Sequence, residues 1–166
     1  MSVFLFLLMM AGDPATCPMH AQHMAAQHTS AQHTDVDTRG DRVMGFSHET
    51  AKHSFRLLAD GGAVEVRAND ANDDDTIAAI RGHLQEIAKE FAAGKFAKPE
   101  EIHARMPDGV DVMKELETAI AYRYEELERG GRLRMITSDQ RGIEAVHRFL
   151  RFQIDDHHTG DSGKVE

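Results

Sequence analysis

The chain has no tryptophan, and aromatic residues make up only 6% of it. A core must therefore be assembled from Leu, Ile, Val, Met and Phe. The single cysteine, Cys17, excludes an internal disulfide. Its thiol is left as a free group, a metal ligand, an intermolecular bridge or a lipid attachment point. Basic residues are in deficit: 19 Lys and Arg against 28 Asp and Glu give a formal charge of −9. Such a surface repels phosphate backbones and anionic lipid, which sets nucleic acid aside as a partner. Enzyme signatures are missing too. There is no phosphate-cradling Gly-rich loop, no His-Glu-x-x-His and no Gly-x-Ser-x-Gly.

No apolar run is long enough to span a bilayer. Val3 to Ala11 is unbroken and has the length of a signal-peptide core, with small residues at Ala11 and Gly12. Residues 1–16 therefore read as a signal peptide. The expected location is periplasmic or secreted, with membrane attachment only if Cys17 is lipidated.

What the chain does have is histidine. There are 11 in all, and four of them crowd between positions 20 and 33. Cys17, Met19, His20, His23 and Met24 put a thiol, two thioethers and two imidazoles within eight residues, and His28 and His33 continue the series at five-residue steps. Thiolate and thioether favour Cu(I); imidazole also accepts Cu(II), Zn(II) and Ni(II). Short His-rich tracts often bind metal, and this composition does not build a core. The expectation is a copper site, with zinc or nickel as alternatives. The competing reading is a solvated polar tether. Residues 17–45 lack apolar periodicity and read as a disordered linker.

Residues 46–158 read as an α+β domain in which one unit is written twice. Ser54 to Leu58 and Ala63 to Arg67 are strands about the Asp60-Gly61-Gly62 turn, which suits positive φ. A helix follows with Ile77, Ile80, Leu84, Ile87 and Phe91 on one stripe and Gly94 as its stop. In the second unit, Ala119 to Tyr124 and Arg132 to Thr137 flank Gly130-Gly131. Ser138 and Asp139 then cap a helix carrying Ile143, Val146, Leu150 and Ile154. Since a lone hairpin is marginal, the two are expected to join in one four-stranded antiparallel sheet with both helices on one face. The connection from Phe96 to Glu117 is longer than a structural link needs, which marks it as a functional candidate. Residues 159–166 read as a frayed tail.

If that connection folds back over the sheet, His53, His83 and His103 converge, with Met44 beside them. Three imidazoles with an open position would make a second metal site.

Cys17-Pro18-Met19-His20 resembles the signature of the heavy-metal-binding segment of copper-transporting P-type ATPases and copper-efflux adaptors. That resemblance implies a metal ion as cargo and a metal-transport protein as partner. From about Met44 to Asp161 the chain is similar to a family of small uncharacterised exported bacterial proteins. The matching stretches include Met44-Gly45-Phe46, His53 to Leu57, Val64-Glu65-Val66, Tyr122-x-Tyr124-Glu125 and Phe149 to Ile154. Members sometimes carry the name aspartate carbamoyltransferase. A transcarbamoylase has two α/β domains in a far longer chain, and its Ser-Thr-Arg-Thr phosphate motif is not present in this sequence.

Two functions are thus expected. The first is a non-enzymatic exported metal-binding protein that scavenges copper or hands it on. The second is a small enzyme or ligand-binding module with a His-lined pocket between the sheet and the long connection.

Overall fold

A computed structural model describes residues 35–166. The leader and the segment from Cys17 to His33 lie outside them. A short helix, α1 (residues 35–44), opens the described chain. Then come β1 (Ala51–Leu58), β2 (Gly61–Ala68), α2 (Asp74–Ala92), α3 (Ala97–His103), α4 (Val110–Glu115), β3 (Ala121–Leu127), β4 (Gly130–Ile136) and α5 (Gln140–His157). The strands form one antiparallel sheet in the order β1-β2-β4-β3. This is the expected α+β architecture, and local chemistry explains each part of it.

Asp73 caps α2 by accepting from the Thr76 N–H, and Asp139 caps α5 by accepting from the N–H groups of Arg141 and Gly142. The α2 stripe of Ile77, Ile80, Leu84, Ile87 and Phe91 is buried throughout. On α5, Val146, Leu150 and Ile154 are buried, while Ile143 is only half-covered. Phe91 sits at the centre of the core, with the Phe96 ring 4.3 Å away and the Phe149 ring at 5.9 Å.

Each helix packs across the other unit's hairpin. α2 lies on β4 and β3, and α5 lies on β2 and β1. Two glycines leave the space for this. A side chain at Gly62 would strike Leu150 and Val146 of α5, and one at Gly131 would meet Leu84 of α2. The two ββα units therefore share one core, and each helix packs chiefly on the other unit's strands, α2 also reaching β2.

Two boundaries differ from the sequence reading. The linker was expected to run to residue 45, but residues 35–44 are helical. Val36, Gly40 and Met44 are buried at four-residue spacing, and Arg39 Nε donates to the Ile102 carbonyl at 2.7 Å. One Val and one Met about a Gly are too weak a stripe to signal a helix. α1 forms because it has α3 to pack against.

The tail beyond residue 158 is docked rather than frayed. Asp161 accepts from the Ser54 hydroxyl at 2.9 Å and from the Phe55 N–H at 2.8 Å. The Glu166 N–H donates to the Leu57 carbonyl at 2.9 Å. The tail thus covers the free edge of β1. Asp161→Ala should cost about 1 kcal/mol, because one buried-edge N–H loses its partner. Chemical denaturation checks this, and an unchanged midpoint would mean the tail adds nothing to the fold.

Candidate functional site

Strand alternation sets one side of a cavity. Ala51, His53, Phe55 and Leu57 of β1 face the helices, as the burial of Ala51, Phe55 and Leu57 shows. His83 sits one residue before Leu84, on the flank of the α2 stripe. His103 is the last residue of α3 and His157 the last of α5, while Met44 closes α1. All five side chains line one cavity of about 70 Å³, whose remaining wall is mostly apolar. Three helices thus end at this cavity, and helix C-termini carry partial negative charge that favours a cation.

The imidazoles lie close together. The His53 and His157 rings are nearly parallel, with centroids 5.6 Å apart and an interplanar angle of 4°. The His103 ring stands edge-on to His157 at 5.0 Å. Phe46 stacks on His53 at 6.0 Å and meets His83 edge-on at 5.9 Å.

Burial lowers the pKa of His53 to about 4, with a further push from His83 that Asp41 only partly offsets. Burial also lowers His83 to about 4, helped by the Lys98 ammonium and opposed by Glu86. Both rings are therefore neutral at pH 7, the state that coordinates a metal or accepts a hydrogen bond. Lys98 is occupied by Glu86 at 2.9 Å and Glu90 at 2.8 Å.

His103 is held differently. Its Nδ1 donates to the Asp156 carboxylate, and its Nε2 lies 3.0 Å from Gln153 Oε1. Burial alone raises Asp156, but the His103 hydrogen bond and the Arg105 guanidinium outweigh it and hold the carboxyl below its usual range. The buried Gln153 Nε2 has no hydrogen-bond partner among the described residues. A carboxylate that fixes one ring nitrogen and leaves the other for an ion is the usual support of a metal-ligating histidine. Here the Gln153 amide occupies that second nitrogen, and an ion would have to displace it or an amide flip would let it donate.

The structure brings Met44, His53, His83 and His103 to one cavity. As placed, no three His, Cys, Asp or Glu side chains among the described residues form a ready-made metal-holding group. The other proposed ligands, Cys17, Met19, His20, His23, Met24, His28 and His33, lie outside the described residues. His157 is a cavity residue that the sequence reading does not name, because it lies past the apolar α5 stripe at the helix end. The signal was its place three residues after Ile154. His147 is structural, with its Nε2 donating to the Leu58 carbonyl at 2.9 Å. Asp73, Asp74 and Asp75 serve the start of α2. No helix among the described residues is long and apolar enough to cross a membrane. No family model, curated protein or solved structure matches the chain.

Proposed function

We propose that the protein binds a soft or borderline transition-metal ion, copper foremost, with zinc or nickel as lesser ligands, and acts as an exported carrier rather than an enzyme. One observation carries this reading. The thioether of Met44 and the imidazoles of His53, His83 and His103 come from four separate elements to line one cavity. Neutral imidazole and thioether are the donor set that copper accepts in both oxidation states.

Size supports an ion over an organic ligand. Pockets for small molecules run to about 300–1,000 Å³, whereas this one holds about 70 Å³, room for an ion and a few waters. The segment with Cys17, Met19, His20, His23, Met24, His28 and His33 would supply a second, exchangeable ligand set. Its Cys-Pro-Met-His start supports transfer to or from a metal-transport protein. The apolar run from Val3 to Ala11 supports export.

The second reading, a ligand-binding module, draws on the apolar wall formed by Leu84, Ile87 and Phe91. Titration with Cu(I) and Cu(II) separates the two. The full chain should show two classes of site. His53→Ala combined with His83→Ala should weaken the cavity class by more than about tenfold, as losing ligands weakens a metal site at least as much as losing their supports. Changing His20, His23, His28 and His33 to Ala should weaken only the other class. A cavity variant that binds copper as the parent does would end the metal reading of the domain.

A further inference from the structure

His53 and His157 face two spaces. Besides the inner cavity, they line an open hollow of about 400 Å³ whose other walls include Asp37, His48, Lys52 and Thr159. The stacked pair is therefore the partition between solvent and the cavity. The outer hollow has its own donors. Asp37 and Asp41 stand four residues apart on α1. His48 Nδ1 lies 3.1 Å from both Asp41 carboxylate oxygens, and its Nε2 lies 3.9 Å from Asp37 Oδ2. Asp37 lines that rim with Lys52, and Asp41 stands behind it, reaching it through His48. α1 thus carries Asp37 at the hollow and, seven residues on, the Met44 thioether at the cavity.

Donor hardness changes along this line. Carboxylates accept a hydrated divalent ion. Imidazoles take a borderline one, and the inner thioether prefers a softer one. Resting on the metal reading above, we propose that the hollow is the entry chamber of the cavity. Asp37 and His48, the latter backed by Asp41, capture a hydrated divalent cation, and the His53–His157 pair passes it inward by ligand exchange, water leaving as each imidazole binds. His157 is then a passage residue rather than a resident ligand. No bond other than metal–ligand bonds forms or breaks, and no electron moves.

A passage residue leaves a kinetic mark that a ligand does not. It changes uptake and release by the same factor, whereas loss of a ligand changes their ratio. The test uses the full chain with Cys17, Met19, His20, His23, Met24, His28 and His33 replaced by Ala, so that only the domain reports. Cu(II) uptake is followed by quenching of tyrosine emission in stopped flow, and release by transfer to a chelator. His157→Phe keeps a flat ring in the partition without a donor. It should slow uptake and release together by about tenfold, as gating steps do. Asp37→Asn with Asp41→Asn should slow uptake and flatten its ionic-strength dependence, since capture by charge is screened by salt. Melting curves of both variants show whether the fold survives.

Unchanged uptake in both variants would overturn the entry chamber while leaving the metal site intact. So would a weaker affinity in His157→Phe with uptake unaltered, which would make His157 a ligand. A parent chain that takes up no Cu(II) would overturn the metal reading and the chamber with it.

Discussion

Taking the metal-free protein from pH 7 to pH 4 should remove about 3 kcal/mol or more of its unfolding free energy. His53 and His83 have pKa values of about 4 in the folded protein, against about 6.5 in an unfolded chain. A depressed folded pKa means that the unfolded state takes up protons first as the pH falls. Stability is therefore complete above about 6.5 and drains away toward 4, where each ring has cost about 3 kcal/mol at most. Both rings keep partial solvent access, so roughly half of the combined figure is the fair expectation.

His48 works in the opposite direction. Although burial lowers it, its partners Asp41 and Asp37 raise it overall. Its contribution is present below about 6.5 and lost above. The ring is exposed, so that term is small. Asp156, depressed by its partners, weakens the fold only in stronger acid.

Urea titrations at pH 7, 5.5 and 4 measure the slope. His83→Gln should flatten it, since glutamine does not titrate. Copper should hold the protein folded to lower pH, because an ion bound only by the native state adds stability by mass action. A stability constant to within about 0.5 kcal/mol from pH 7 to 4.5 would mean that both imidazoles are solvated.

The hairpins and the stripes of α2 and α5 were legible because each is a local pattern. Two alternating runs flank a glycine pair, and apolar residues recur at helical spacing. The crossing of the helices was not legible, since nothing local to α2 says which hairpin it will cover. The glycine pairs carried that information in a form easily misread. Asp60-Gly61-Gly62 looked like a turn. Gly61 does hold φ at +129°, but Gly62 lies within β2 and makes room for α5. α1 and the docked tail were missed for a related reason. Each is stabilised by a partner far along the chain, Ile102 for α1 and Ser54 for the tail. The neighbourhood of Met44, His53, His83 and His103 was expected only on the condition that the long connection fold back. α3 does so and brings His103 with it, while His157 arrives from the end of α5, beyond the apolar stripe that made that helix legible.

Gly62→Val should cost about 3 kcal/mol, at the upper end of what overpacking a core does. A Cβ at Gly62 would lie 2.2 Å from Leu150 Cδ1 and 2.8 Å from the Arg56 carbonyl oxygen. Leu150 is fully buried, so it has nowhere to swing. The carbonyl belongs to β1, the neighbouring strand, so it yields only if the sheet bends. Gly131→Val is the control. Its Cβ would meet Tyr124 Cε2 at 2.7 Å and Leu84 Cδ1 at 3.1 Å, and the nearest backbone atom is 3.5 Å away. Side-chain ends give way more easily than backbone, so this variant should cost about 1–2 kcal/mol. The two causes at Gly62 can be separated. Leu150→Ala alone should cost about 2–5 kcal/mol for the cavity it leaves. In that background the added cost of Gly62→Ala should shrink by about 1 kcal/mol, because the two sites touch and their effects are not additive. Strict additivity would mean that α5 does not sit over Gly62, and the crossing of the helices would fall with it.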